Sequence, residues 1–234
     1  MDRQDNRTKE MVVREMFSGI APAYDRVNYI MSWGQDARWR RLAVDLAYPD
    51  GGWVLDAATG TGDIAVELAR HNNLVVGLDL CPEMLSRSQN KTVKKRLGQR
   101  INFVLGDALT LPFSDNSFDC ALNGFALRNV ADINRFLAEL RRVVKPGGRV
   151  ICMELVRPWS GIMGTLYRTY LFRVVPVIGR WLSGDNRAYR YLPESVGSFI
   201  TTDELQAIME NVGFCQVSHK CLNLGTVSIH VGVK

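Results

Sequence analysis

"VLDAATGTGDIAVELA" (Val54–Ala69) is the stretch on which the fold turns. It opens as a short apolar run ending at Asp56, passes through a glycine-rich turn, and continues with helical periodicity from about Gly62. That order reads as a buried strand, a tight loop and a helix. Gly60 and Gly62 let backbone approach a ligand where a Cβ would collide. The helix start adds N–H groups that have no intrahelical partner. The spacing Gly60-x-Gly62-x-x-Ala65 fits the loose dinucleotide-binding fingerprint.

Outward from this motif the same alternation repeats. "WVLDAA", "LVVGLDL", "INFVLGD", "SFDCALNGF" and "RVICMEL" read as strands. "GDIAVELARH", "PEMLSRSQNKTVKKR" and "DINRFLAELRRVV" read as helices, with Pro82 at a first helical position, where its missing N–H costs nothing, and "KPGG" as a stop. Strand–helix alternation implies right-handed crossovers and a parallel sheet covered on both faces. The ending differs. After a helix "TDELQAIMENVG", started by Thr202 or Asp203, "FCQVSHKCLN" and "TVSIHVGVK" are separated by Leu224 and Gly225. Two antiparallel strands and a tight turn follow, which a pure dinucleotide-binding dehydrogenase does not predict. At the other end, "MVVREMFSGIA" has helical spacing of Val12, Met16 and Ile20, and residues 1–10 read as frayed.

The 234 residues fit one domain with an insertion. The division is an N-terminal helical cap over 1–48, a sheet domain over 52–156 and 201–234, and a helical lid over 157–200. A net charge of +5 is too mild to argue for nucleic acid. The densest basic patch, "KTVKKR" (Lys91–Arg96), reads as a solvated helix face. Five cysteines without a CxxC indicate neither a disulfide framework nor a zinc site, and point to a reducing, cytoplasmic compartment. No metal-ligand arrangement is visible, and His71, His219 and His230 read as structural or exposed. "MDRQDNRTKE" lacks the apolar core of a signal peptide. The apolar run near Leu171–Leu182 is broken by Arg173, Pro176, Gly179 and Arg180, so it cannot span a bilayer.

Two adenosine cofactors compete for the glycine loop. Asp79, at the end of the second strand, can accept from both ribose hydroxyls of NAD or of S-adenosylmethionine (SAM); a helix N-cap acid is the plainer alternative. Asp107 ends the third strand, where its carboxylate can accept from an adenine amino group while the Ala108 N–H donates to the ring. Three acids at three successive strand ends (Asp56, Asp79, Asp107) and a terminal antiparallel hairpin favour SAM. Leu80 and Met84 would lie beside the adenosine, although a helical Met is as often plain core.

"YDRVNYIMSWG", "LDAATGTGD", "FALRNVAD", "VVKPGGR" and "AYRYLPESV" resemble the ubiquinone/menaquinone biosynthesis C-methyltransferases, the UbiE-type family, from about Met11 to the C-terminus. The glycine loop and "KPGG" are generic; "ALRNV", "YRYLPES" and "YDRVNYIMSWG" are specific. The resemblance implies a class I SAM-dependent methyltransferase (Rossmann-like) α/β fold with a mostly parallel seven-stranded sheet. It implies methylation of a ring carbon on a prenylated benzoquinol or naphthoquinol, and is compatible with a homodimer. It puts Thr61, Asp79, Asp107 and Ala108 on the cofactor. Gly124 stands where relatives often have Ser, which leaves that contact to backbone, with Asn123 beside it as compensation. It also folds Tyr24, Asp25 and Asn28 over the site, Tyr24 near the methyl and Asn28 toward the quinol; a simple packing helix is the alternative.

The chemistry needs an electron-rich ring, an in-line methyl donor and exclusion of water. Arg128 and Asn129, just past the fourth strand, are read as the catalytic pair: a guanidinium to stabilise a developing phenolate and an amide to orient water or the quinol oxygen. The plainer reading pairs Arg128 with Asp132 and uses Asn129 as a helix cap. Between Arg157 and Ile200 lie six arginines and no lysine, amid many aromatic and aliphatic residues. This insertion reads as a lid that lines a pocket for the quinol and its first prenyl units, with Tyr189, Arg190 and Ser195 as substrate contacts. Its arginines can snorkel toward lipid phosphates at the cytoplasmic membrane surface, or pair with acids of the sheet domain. Another small or lipidic acceptor, a non-catalytic quinone-binding subunit and an NAD-dependent oxidoreductase are the competing functions.

Overall fold

The sheet has seven strands: β1 (Trp53–Ala57), β2 (Leu74–Asp79), β3 (Ile101–Leu105), β4 (Phe118–Gly124), β5 (Val144–Leu155), β6 (Cys215–Leu222) and β7 (Val227–Val233). They are ordered β3-β2-β1-β4-β5-β7-β6 in this computed structural model, which describes residues 3–47, 51–157, 161–183 and 186–234. Strands β1–β5 pair in parallel, and β7 lies antiparallel between β5 and β6. The terminal strands are the expected antiparallel pair, but residues 223–226 join them, with Asn223 and Leu224 at φ 49° and 57°. The chain winds outward from β1 to β3 and then crosses to β4. The strand order reverses there, and open α/β sheets bind ligands at such a point.

The parallel strands are apolar because both faces are covered. On one face α6 (Ile133–Val143) and α10 (Thr202–Val212) pack Leu137, Leu140, Leu205 and Met209 with Leu55, Ala121 and Val150. On the other, α3 (Asp36–Asp45) and α4 (Asp63–Arg70) pack Trp39, Ala43, Ile64 and Leu68 with Val54, Cys120, Leu122 and Ile151. The helix starts follow local chemistry. Pro82 sits in the first turn of α5 (Pro82–Lys94). Asp132 caps α6, accepting from Arg135 N at 3.0 Å. Thr201 and Glu204 form a capping box on α10, one residue earlier than Thr202.

Helices from the N-terminal segment and from the insertion after β5 roof the carboxyl edge of the sheet. They are α1 (Arg3–Ile20), α2 (Tyr24–Met31), α7 (Ile162–Thr169), α8 (Val175–Ser183) and α9 (Asn186–Gly197), with a π-helical turn, Tyr170–Val174, joining α7 to α8. Helix α1 extends over residues that read as frayed. Tyr170 Oη donates to Met31 O at 2.6 Å and so pins the insertion to the N-terminal cap. A Cβ on Gly179 would stand 2.0 Å from Tyr189 Cγ, so only glycine lets α8 lie this close to α9. Pro158, Trp159, Ser160, Gly184 and Asp185, all within the insertion, lie outside the described residues.

Candidate functional site

Two adjoining cavities open beyond the carboxyl ends of the parallel strands. The larger, about 360 Å³, is lined by Tyr24, Asn28, Thr61, Arg128, Asn129 and Tyr189, among others. The smaller, about 130 Å³, is lined by Asp79, Leu80, Met84, Asp107 and Ala108. Tyr24, Gly60, Gly124 and Asn129 face both, so Tyr24 is a shared wall between them.

The glycine loop is built from three left-handed residues, Ala58, Gly60 and Gly62, at φ 56°, 55° and 77°. The two glycines answer different demands. A Cβ on Gly62 would meet Ser88 Cβ at 3.0 Å, so glycine there serves the packing of α4 on α5 and its own role as N-cap. A Cβ on Gly60 would meet no protein atom within 4 Å; it would stand in the cleft itself. Beneath the loop, Thr59 Oγ1 donates to Asp56 Oδ2 at 2.6 Å. Asp56 is fully buried and borders neither cavity, and burial pushes its carboxyl up to about 7. It braces the loop from inside, and β1 runs one residue past it.

Asp79 closes the loop from the other side. Gly60 N donates to its Oδ2 at 2.7 Å and Cys81 N to its Oδ1 at 2.9 Å. Burial raises its pKa, and these amides offset part of the rise. Each carboxylate oxygen keeps a further lone pair for a hydroxyl. Asp107 lies two residues beyond β3, where Leu109 N donates to its Oδ1 at 2.8 Å. Buried Met84 forms the floor between them. An acid for a ribose, an acid and amide for an adenine edge, and a glycine with open cleft before it fit SAM.

The larger cavity is an apolar chamber with a few aimed polar groups. Tyr24 is half-buried there, and the desolvation of its hydroxyl raises its pKa, while the Asn28 side chain hydrogen-bonds that hydroxyl and the Arg40 and Arg128 cations pull the value back. Arg128 does not pair with Asp132. Its Nε donates to Glu154 Oε1 at 2.6 Å and its Nη1 to Ser195 Oγ at 3.0 Å. Asn129 does not cap α6; its Nδ2 donates to Phe125 O at 3.2 Å, leaving Oδ1 without a partner among the described residues. A second polar cluster joins the cap to the loop. Thr61 Oγ1 donates to Asp25 Oδ1 at 2.5 Å, Lys91 bridges Asp25 and Asp63 at 2.8 and 2.5 Å, and Arg40 pairs with Asp63 and Asp36. The Thr61 hydroxyl is thus engaged by the cap.

Besides Asp25 and Asp56, four sequence-derived positions lie off the cavity walls. Gly62 is one, for the reason above. Asn123 is fully buried and donates through Nδ2 to Ala57 O at 2.9 Å, tying β4 to β1. Ser195 stands behind Arg128, where the α9 backbone also takes its hydroxyl through Leu192 O. Arg190 is exposed. Gly124 has a steric reason for lacking a side chain: a Cβ would come within 2.4 Å of Ile64 Cδ1. Glu154, Lys91, Arg40 and Asp63 escaped the sequence reading. Glu154 had a signal, a lone charge inside the apolar run "VICMELV". Lys91 was hidden in the basic patch, whose other charged residues, Lys94, Lys95 and Arg96, are exposed.

The chain's relatives fit this geometry. The profile of the ubiE/COQ5 methyltransferase family matches residues 4–234. A demethylmenaquinone methyltransferase of Thermus thermophilus is 45% identical over 220 residues, covering 93% of this chain and 99% of that protein. A ubiquinone/menaquinone biosynthesis C-methyltransferase of Geobacter sulfurreducens is 40% identical over 226 residues, covering 95% and 88%. Among solved structures, the [4+2]-cyclase SpnF superposes with a TM-score of 0.73 at 18% identity, covering 97% of this chain and 96% of that one. A SAM-dependent methyltransferase of Thermotoga maritima gives 0.68 at 20%, covering 95% and 99%. A cyclase and a methyltransferase on one scaffold show that the fold alone does not set the reaction. The sequence match is what sets it, because it runs through the residues of both cavities: the chain belongs to the ubiE/COQ5 methyltransferase family, whose members transfer methyl groups from SAM in quinone biosynthesis.

Proposed function

We propose that this chain methylates a ring carbon of a prenylated quinol, with demethylmenaquinol as the acceptor. The single observation that carries the reading is the pairing of an acid-lined adenosine cleft with an apolar chamber that meets it at Tyr24. When bound, SAM supplies an electrophilic methyl on a sulfonium. Asp79, Asp107 and Ala108 would hold its adenosine, with Gly60 giving backbone access. In the chamber, Arg128 donates hydrogen bonds to the quinol oxygen and so favours ionisation of its hydroxyl, which makes the ring carbon electron-rich before it attacks, and Asn129 Oδ1 accepts the hydroxyl or orients a water that takes up the proton. Donors fixed beforehand in a dry site stabilise such charge far better than in bulk water. Asn28 and Tyr189 would contact the ring and first prenyl unit. The relatives named demethylmenaquinone methyltransferase favour the naphthoquinol over the benzoquinol.

The chamber mouth supports a peripheral approach to a membrane. Trp33, 82% exposed, stands at its rim. Ile162, Leu166, Val177 and Trp181 on the lid are also exposed. Arg168, Arg173 and Arg180 are exposed beside them, and none is ion-paired with an acid among the described residues. That weakens the alternative of a lid held by pairs to the sheet domain. No described helix is long and apolar enough to cross a membrane. Light scattering tests the homodimer that the resemblance allows.

The decisive experiment supplies methyl-labelled SAM with demethylmenaquinol or a benzoquinol analogue and asks which lipid becomes labelled. Label in neither would refute the reading. Arg128→Met is expected to abolish transfer with SAM affinity retained, and full transfer by that variant would remove Arg128 from the mechanism.

A further inference from the structure

We infer that Glu154, with Ser195 as its counterpart on the lid, is the residue that aims Arg128 at the acceptor. The inference rests on the role given to Arg128 above. Glu154 ends the buried part of β5 and is wholly inaccessible. Its carboxylate holds the same arginine twice. Oε1 accepts from Arg128 Nε at 2.6 Å, and Oε2 accepts from the Arg128 backbone N at 3.3 Å. Leu155 N also donates to Oε1, at 2.8 Å, which fixes the carboxylate against its own strand. A side chain tied at its backbone and at Nε has little torsional freedom left between the two points. The third hold comes from the lid, where Ser195 on α9 accepts from Nη1. Only Nη2 has no protein partner among the described residues, and Arg128 borders the larger cavity.

Two consequences follow from this arrangement. The guanidinium offers the acceptor one amino group in one direction, rather than a mobile charge on a long stem. Its charge is balanced by a carboxylate on the side away from the acceptor, so the chamber can stay apolar around a greasy substrate without an uncompensated ion. The lid takes part as well. The Nη1 hold exists only while α9 is packed on the sheet, so Arg128 is fully aimed only under a closed roof. A displacement of about 1 Å in such a group can cost on the order of 100-fold in rate.

The test compares Glu154→Gln, Glu154→Asp, Ser195→Ala, Arg128→Met and the double variant Arg128→Met/Glu154→Gln. Folded sites are counted by titration with SAM, and initial rates are expressed per SAM-binding site. Positioning predicts that Glu154→Gln lowers kcat by roughly 10- to 100-fold per site, with KM for SAM within twofold of the parent. Glu154→Asp should recover part of that loss, and Ser195→Ala should lose several-fold. In the Arg128→Met background, Glu154→Gln should change the residual rate no further. A purely structural Glu154 would instead lower the melting temperature and the number of sites while leaving kcat per site unchanged, and that result overturns the inference. If Glu154→Gln does not fold, Glu154→Asp and Ser195→Ala decide by the same criterion. If Arg128→Met alone retains its turnover, the assignment of Arg128 fails first, a different result from an inert Glu154.

Discussion

Replacing Asp79 with asparagine removes one oxygen and a charge from the meeting point of the glycine loop and α5. The parent carboxylate accepts from Gly60 N at 2.7 Å and from Cys81 N at 2.9 Å. Asparagine has one acceptor oxygen, so its amide NH₂ must face one of those N–H groups, donor against donor. A buried N–H without a partner costs about 1–3 kcal/mol, which falls on the loop whether or not ligand is present. Binding of SAM loses a second amount. Two charge-assisted bonds from ribose hydroxyls become two neutral ones, one of them reversed so that the amide NH₂ donates to the hydroxyl oxygen, a loss of about 2–3 kcal/mol. At about 1.4 kcal/mol per decade, the dissociation constant should rise roughly 30- to 150-fold. Isothermal titration with SAM and with S-adenosylhomocysteine measures this directly, and both should weaken equally because the ribose is common to them. Circular dichroism checks that the variant is folded. A folded Asp79→Asn protein that binds SAM within threefold of the parent would mean that Asp79 only shapes the loop and that the adenosine lies elsewhere.

Two further outcomes follow from buried groups and a third from the exposed rim of the lid. Burial raises the Asp56 carboxyl from 3.8 to about 7, so between those values the folded protein keeps a proton that the unfolded chain has lost, and stability falls as pH rises. Burial lowers His230 from 6.5 to about 4, which acts in the opposite sense, adding stability as pH rises from 4 to 6.5. Melting temperatures from pH 4 to 7 should therefore slope more steeply upward in Asp56→Asn and more steeply downward in His230→Gln, each by at most about 1.4 kcal/mol per pH unit; identical slopes in all three proteins would contradict the burial argument. Gly124→Ser forces its Cβ to within 2.4 Å of Ile64 Cδ1 and should cost about 1–2 kcal/mol, most of it recovered by adding Ile64→Val, as read from urea midpoints. Sedimentation with anionic vesicles at low salt should carry the protein down, with release at high salt and loss in a Trp33→Ala/Trp181→Ala variant; no sedimentation of the parent would leave the lid an ordinary cap.

The strands were legible because a sheet covered on both faces writes itself as apolar runs, as in "LVVGLD" and "CALNG". Pro82 at its helix start was equally local, while α6 is capped by Asp132 rather than Asn129 and α10 by Thr201, one residue before the start read for it. What stayed hidden depends on partners far away in sequence. The two glycines of the loop look identical as letters, yet Gly62 answers to Ser88 and Gly60 to the open cleft. Lys91 is one cation in a basic run until the fold brings Asp25 and Asp63 to it. Asp132 was the nearest acid to Arg128 in the chain, but Glu154, 26 residues away, is the one it meets. The aromatic richness of the insertion foretold a roof, while the π-helical turn within it left no mark on periodicity.

The roof has its own bearing on how the protein can fail. One half comes from the N-terminal segment and the other from the insertion after β5; they meet through the Ile20, Val27, Ala188 and Tyr189 cluster and a phenol on a backbone carbonyl, and rest on the strand tips without adding a strand. Mild denaturant should therefore empty the greasy compartment before it melts the ladder of strands, since loosely coupled units open below the global threshold. A quinol-handling enzyme built this way could be silenced by detergent or heat while its spectrum still looked native.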